Sequence, residues 1–213
     1  MPAEIAYNWM DGEVGQTAVS TQEALFVRRL QANEDAAYDE LVQTYSASIF
    51  HVAYRMLGDT TEASDVAQEV FLKVFRNIGG FRGKAMLKTW IFKIAFSETL
   101  NQLRWWRRRQ RFTMVSLDEQ PNGAGSGFRD IVAGSDSTPE QTLQAKEEEA
   151  AIQQALLRLP PRHRSIIVLR DIEGLSYYEI ASVLGVSVGT VKSRLARARG
   201  DLKKSLMRYW SVR

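Results

Sequence analysis

Residues 176–199 read SYYEIASVLGVSVGTVKSRLARAR. Ser176 followed three residues later by Glu179 is a capping box, the reciprocal side-chain cap that opens a helix. Ala181, Gly185 and Val191 stand where two short helices meeting at a sharp turn need them. A small Ala lets the helices approach, a Gly makes the tight turn, and a Val seats the second helix on the first. Ser187 is a cap for that second helix, which carries Lys192, Arg194, Arg197 and Arg199, with Thr190 and Ser193 as hydroxyl donors. This is a helix-turn-helix pattern, and its chemistry fits duplex DNA: Arg and Lys reach guanine edges in the major groove while neighbouring cations touch phosphates. The plainer alternative is a helical hairpin with a solvated basic face. It leaves the cap, the turn glycine and the one-sided basic helix as three coincidences.

Working outward, Thr138-Pro139-Glu140-Gln141 reads as a helix start, with the proline in the first turn. That helix continues through Leu143, Ile152 and Leu156 to Leu159; Pro160-Pro161 ends it and begins another, carrying Ile166, Ile167, Leu169 and Arg170, which stops before Gly174. Upstream lies SLDEQPNGAGSGFRDIVAGSDS, dominated by Gly, Ser, Asp, Asn and Pro, and read as a flexible linker over 113–137. Further upstream, Leu25, Phe26, Leu30, Ala37, Leu41, Tyr45, Ile49, Val52 and Met56 recur at helical steps up to Gly58. Asp59 and Glu62 form a second capping-box pattern, opening a helix with Val66, Val70, Phe71, Val74, Phe75 and Ile78 on one face and Gly79-Gly80 at its end. A polar loop, Phe81 to Lys84, leads to a long helix from Leu87 to Arg111 whose buried side is Trp90, Ile91, Ile94, Leu100 and Leu103. Residues 1–22 lack periodicity and are expected to be a mobile acidic tail. No strand alternation occurs. The expected fold is all-α: two small helical domains, 23–112 and 138–213, joined by a flexible linker, the second containing the helix-turn-helix.

Charge follows the same division. Residues 1–23 carry −4, residues 24–112 +5, residues 113–149 −6 and residues 150–213 +8. Two basic blocks joined by an acidic strap point to two surfaces that each meet a polyanion, although charged faces also serve solubility. There is no cysteine, which excludes disulfides, thiolate metal sites and cysteine nucleophiles and fits a reducing cytoplasm. Neither a signal peptide nor a membrane-spanning run is visible, so no membrane insertion is expected. His51 and His163 have no ligand partners at metal spacing and are read as structural; no metal or cofactor is expected.

Two features of the first basic block stand out. Residues 103–112, LRWWRRRQRF, put five arginines and two tryptophans in ten positions. Aromatics interleaved with guanidinium groups suit unstacked, single-stranded bases; arginines solvated at a helix C-terminus are the equal alternative. Asp65, Gln68, Glu69 and Leu72 fall on one helix face, an acidic stripe in a basic domain. A helix-turn-helix regulator would explain residues 176–199 but leave the 65–111 block idle. A nuclease would want clustered carboxylates for Mg²⁺, for which Asp65 and Glu69 alone are weak evidence.

Three segments carry a resemblance: DVAQEVFLKVF (65–75), GGFRGKAMLKTWIFKIA (79–95) and LPPRHRSIIVLRDIEGLSYYEIASVLGVSVGTVKSRLARAR (159–199). In this order and spacing the chain resembles the extracytoplasmic-function sigma factors, small two-domain members of the sigma-70 family. The resemblance covers most of residues 24–205. It implies a specificity subunit of RNA polymerase rather than an enzyme, acting in the cytoplasm. Asp65, Gln68, Glu69 and Leu72 would dock on the clamp coiled coil of the polymerase's largest subunit, with Phe71 as core; the flap of the second-largest subunit would be a further contact. The −10 promoter element would be opened and held by Arg82, Lys84, Lys88, Trp90, Lys93, Ser97, Asn101, Arg104, Arg107 and Arg108. The −35 element would be read by Thr190, Lys192, Ser193, Arg194 and Arg197, with Arg164, Arg199 and Lys203 on phosphates. An anti-sigma factor is the further implied partner. Ser97 departs from the family's common Asn, and Ala85-Met86 replace residues that are often polar, which bears on the −10 sequence preferred. The long acidic linker is expected either to thread toward the polymerase channels or to act as a tether, and the tail with Trp9 and Met10 is a candidate regulator in cis.

Overall fold

The computed structural model describes residues 20–113 and 139–210, with side chains for 20–109 and 146–207. Of the expected 1–22 tail, residues 1–19, with Trp9 and Met10, lie outside the described residues, as does the linker after Thr113, whereas residues 21 and 22 already belong to the first helix. Eight α-helices and no strand occur among the described residues. They are α1 (Thr21–Gln31), α2 (Asp35–Leu57), α3 (Thr60–Asn77), α4 (Leu87–Thr113), α5 (Pro139–Arg158), α6 (Pro161–Ile167), α7 (Tyr177–Leu184) and α8 (Val188–Trp210).

Their ends follow from local chemistry. Ser20 caps α1 by accepting from the Glu23 N–H at 3.1 Å. Asn33, at φ 58°, turns the chain between α1 and α2, so the continuous helical pattern that starts at Thr21 is split in two. Asparagine is among the few non-glycine residues that visit this left-handed conformation readily. Asp59 accepts from the Glu62 N–H at 2.9 Å and opens α3, but the expected capping box is only half formed. The Glu62 carboxylate accepts instead from the Gln102 side chain and so ties α3 to α4. In the second half the Ser176–Glu179 box is complete, and Gly185 ends α7 in the left-handed region at φ 64°. Ser187 accepts from the Thr190 N–H at 3.2 Å as expected.

Two apolar clusters hold the chain. The first lies among α1 to α4 and contains Leu30, Leu41, Ile49, Val66, Val70, Val74, Ile78, Leu87 and Ile91, with Phe71 and Trp106 packed against it. Phe75, expected on this buried face, is instead exposed and lies beside Tyr38, with ring centroids 5.2 Å apart. Leu25 is likewise exposed. The second cluster draws on both halves of the chain. Val52 and Met56 of α2 and Phe92 and Phe96 of α4 pack with Leu156, Leu159, Ile166, Ile167, Leu169, Leu175 and Ile180. Residues 166–169 are buried without a break, and residues 168–172 form a π-turn. Each large apolar side chain fully removed from water stabilises the fold by about 1.5–3 kcal/mol, so burial of Met56 and Phe92 gives this seam real strength.

Candidate nucleic-acid interface

The helix-turn-helix is built as its residues require. Val191, Leu195 and Ala198 of α8 are buried against α6 and α7, at i, i+4 and i+7. That spacing turns the opposite side of α8 outward. Lys192, Ser193, Arg197, Arg199 and Lys203 are exposed, and Thr190 and Arg194 half-buried. The Ser193 hydroxyl donates to the Thr190 carbonyl at 3.1 Å, and the Ser187 and Thr190 hydroxyls lie 2.9 Å apart, so these small polar groups brace the first turn of α8. Arg199 donates from Nε to Asp171 at 3.1 Å and is raised further above its ordinary value by that hydrogen bond, which ties α8 to the π-turn.

Arg164 corrects an expectation. It was read as a phosphate contact, but it is only 6% exposed. Its guanidinium donates to the carbonyls of Leu156 at 2.9 Å, Leu157 at 2.6 Å and Leu159 at 3.2 Å, and to that of Met56. These are orphan acceptors at the C-termini of α5 and α2, where the helix dipole favours a cation. Burial, helped by the nearby charge of Arg107, lowers its pKa to about 10, so it remains charged at neutral pH. Nothing in the local sequence distinguishes this buried arginine from a surface one.

On the other half, Asp65, Gln68 and Leu72 of α3 are exposed and Glu69 half-buried, forming one continuous stripe. Leu72 is 48% exposed, as its place in the stripe requires, and Phe75, expected in the core, is 55% exposed, so the stripe has an apolar end. Glu69 and Glu98 both face the Lys73 ammonium, at 3.7 and 2.6 Å. Glu98 lies on α4 and is nearly buried, which makes this ion pair a link between the acidic stripe and α4.

Arg82 and Lys84 are exposed in the loop before α4. Phe81 lies against Trp90, with centroids 5.2 Å apart, so the loop is pinned to the helix behind it. Farther along α4, Asn101 donates to Glu98 at 3.5 Å and accepts from Arg104 at 3.1 Å. Ser97 is half-buried, and so is Lys93, whose ammonium is lowered by that burial. Arg104, Arg107 and Arg108 are exposed. The tryptophan pair divides its roles: Trp106 packs on the core, whereas Trp105 is 42% exposed with the Arg109 guanidinium 4.9 Å from its ring centroid. The result is a solvent-facing arginine and indole end on α4.

Lys88 does not face solvent freely. Its ammonium lies 5.6 Å from the Phe92 ring and donates to the Glu173 carbonyl at 3.4 Å. Among the described residues no group of His, Cys, Asp and Glu is placed to hold a metal, and His163 pairs with Asp201 at 2.9 Å. No helix among them is long and apolar enough to cross a membrane.

Comparison with known proteins defines the class. The pattern of Sigma-70 region 2 matches residues 41–112, and that of Sigma-70, region 4, matches residues 149–202. The RNA polymerase sigma-H factor of Pseudomonas aeruginosa is 37% identical over 186 residues, covering 87% of this chain and 94% of the relative. The ECF RNA polymerase sigma factor SigW of Bacillus subtilis is 33% identical, covering 84% and 94%. The solved structure of CnrH in complex with the cytosolic domain of CnrY shares the fold at a TM-score of 0.63 and 23% identity, covering 86% of this chain and 96% of that one. RpoE of Bartonella quintana, solved with the anti-sigma factor NepR, does so at 0.62 and 24%, covering 80% and 96%. The chain therefore belongs to the extracytoplasmic-function sigma factors of the sigma-70 family. As such it directs promoter-specific initiation of transcription by RNA polymerase.

Proposed function

We propose that the chain reads a two-part promoter with two separate helices and acts by binding rather than by making or breaking bonds. Region 2 is assigned to residues 23–112, region 4 to 138–213, and the site of action to the cytoplasm. The α3 stripe of Asp65, Gln68, Glu69 and Leu72 docks on the clamp coiled coil of core RNA polymerase, extended by the exposed Phe75 ring. The flap of the second-largest subunit is a further contact. Arg82, Lys84, Lys88, Trp90, Lys93, Ser97, Asn101, Arg104, Arg107 and Arg108 engage the −10 element, and Trp105 joins them as a stacking platform. Lys192, Ser193, Arg194 and Arg197, with Thr190 bracing the turn, read the −35 element in the major groove, while Arg199 and Lys203 touch phosphates. Arg164 is left out of this set because it is buried. The sigma factor RpoE of Bartonella quintana, which shares this fold, is solved with the anti-sigma factor NepR, which supports an anti-sigma partner here.

Binding energy does the work. Unstacking promoter DNA costs a few kcal/mol per step, and stacking of a captured base returns about 1–3 kcal/mol. The single observation that carries the reading is the sidedness of α8: Val191, Leu195 and Ala198 are buried and Lys192 and Arg197 exposed. The test adds the purified chain to core polymerase with a random promoter library, beside a Lys192→Ala/Arg194→Ala variant. Run-off transcripts from a bipartite promoter, with loss of the upstream preference in the variant, are expected. Protection of duplex DNA without core binding or initiation would overturn the reading in favour of a helix-turn-helix regulator.

A further inference from the structure

The loop that carries Arg82 and Lys84 is fastened at both ends by side chains of α1, a helix that none of the −10 assignments includes. At its start the Gln31 amide donates from Nε2 to the Ile78 carbonyl at 3.1 Å and to the Phe81 carbonyl at 3.0 Å. At its end the Glu23 carboxylate accepts from the Leu87 N–H at 2.5 Å. Between these two points Gly83 takes the left-handed region at φ 67°, and Arg82 and Lys84 stand exposed.

Each bond meets a local need. Leu87 opens α4, and its N–H is one of those that a helix leaves without an internal partner. Met86 accepts the first bond of that helix, from the Trp90 N–H at 3.1 Å, and so occupies the place where Ser, Thr, Asp or Asn would cap from within. A thioether is a weak acceptor. The Glu23 carboxylate takes over from another helix and brings a negative charge to the positive end of the dipole. By spacing, Glu23 belongs to a local box with Ser20, which does cap the Glu23 N–H, yet the carboxylate itself goes to Leu87. Gln31 acts in the same way at the other end. The Ile78 carbonyl already accepts from the Phe81 N–H at 3.0 Å, and the amide takes its second lone pair while also holding Phe81.

α1 is suited to be the fixed part. Val27 and Leu30 bury it in the region 2 core, and Arg29 binds Glu34 and Glu40 at 3.0 and 2.9 Å, which ties it to α2. Glu23, Val27 and Gln31 are four residues apart and share one side of the helix. Glu23 and Gln31 therefore stand about 12 Å apart along the axis. The six residues 81–86 span about 20 Å when extended. Held on a shorter base, they bow outward and carry Arg82 and Lys84 into solvent.

We propose that Glu23 and Gln31 are positioning residues for −10 recognition: α1 is the base that holds the 81–86 loop in the shape in which Arg82 and Lys84 meet the displaced strand. Both act through the loop. Ordering it in advance removes an entropy cost that strand binding would otherwise carry. It also fixes the loop's cations relative to Trp90, on which Phe81 packs with centroids 5.2 Å apart. This inference rests on the assignment of the loop to the −10 element.

The test uses the full chain bound to core polymerase. Gln31→Glu keeps the side chain's shape but turns oxygens toward two carbonyls; Gln31 is exposed, so the core is left intact. Glu23→Ala removes the acceptor, and Glu23→Gln restores one, because an amide oxygen also accepts from an N–H. Arg82→Ala/Lys84→Ala reports the loop's own part. Three quantities are read: anisotropy of a labelled single-stranded −10 oligonucleotide, base preference across a promoter library, and hydrogen exchange of the amides of residues 81–88. Gln31→Glu and Glu23→Ala are each expected to weaken the oligonucleotide by about fivefold, to flatten base preference in the −10 element alone, and to speed exchange in the loop. Glu23→Gln is expected to recover all three. A lowered melting temperature with −10 preference and affinity unchanged would refute the proposal, since that is what a purely structural role produces. If the α1 variants change neither quantity while Arg82→Ala/Lys84→Ala loses both, the positioning claim falls and the loop's assignment stands. If Arg82→Ala/Lys84→Ala changes neither, the assignment falls and the inference with it.

Discussion

The DNA-facing side of α8 and that of α4 differ in how ready they are. On α8 the buried residues Val191, Leu195 and Ala198 seat the helix on α6 and α7, and Lys192 and Arg197 stand in solvent. On α4 one side rests on the region 2 core through Ile91 and Ala95, while another, with Phe92 and Phe96, is buried between α2 and the other half. Only its C-terminal end, from Arg104 to Arg109, displays cations and an exposed indole. The difference teaches that α8 keeps its cations clear of the core, whereas α4 divides its surface between two apolar clusters and a cationic end.

The sharpest way to break this contrast is in the seam. Phe92→Ala removes a fully buried ring, and a cost of about 3–5 kcal/mol is expected, read by denaturant unfolding of the intact chain. A loss below about 1 kcal/mol would mean that α4 is not covered in this way. Next come two substitutions that test exposed positions. Trp105→Ala is expected to weaken capture of a single-stranded −10 oligonucleotide by about 1–3 kcal/mol with an unchanged melting temperature, whereas Trp106→Ala lowers the melting temperature because that ring packs on the core. Lys192→Ala is expected to cost about 1–3 kcal/mol at one position of the −35 element and to leave −10 preference intact, as read by competition binding. The smallest effects belong to local bracing. Ser176→Ala removes one member of the capping box and should cost about 1 kcal/mol in thermal unfolding. Asp171→Ala breaks an exposed pair with Arg199 and should cost less than about 1 kcal/mol.

Much of this was legible in the residues. The helices other than the division of the first pattern into α1 and α2 at Asn33, the turn at Gly185, the cap at Ser176 and the stop at Gly58 follow from short-range chemistry, which a sequence displays directly. The sidedness of α8 was readable for the same reason. What was not readable is long-range. Phe92 and Phe96 lie off the apolar stripe of α4 that Ile91 and Ile94 mark, and their cluster draws on α2, through Val52 and Met56, and on residues from Leu156 onward, sixty or more positions away. Arg164 looks like any surface arginine until the ends of two helices converge on it. Phe75 was read as core because its spacing fits the apolar face of α3, yet it lies on the boundary of that face and faces outward. Glu62 fits a local cap by spacing, but a distant amide, Gln102, takes its carboxylate.

The most direct test of the reading of two promoter elements by two halves is a distance measured in both states. Asn77 and Arg162 are exposed, lie on opposite halves and belong to no assigned contact. A donor and an acceptor dye on cysteines at these positions report their separation by energy transfer, in the free chain and in a promoter complex with core polymerase. The expected result is high transfer in the free chain, consistent with a body about 40 Å across, falling to near zero on the promoter as the halves separate toward about 85 Å. Equal transfer in the two states would contradict the reading of two separated promoter elements by the two halves.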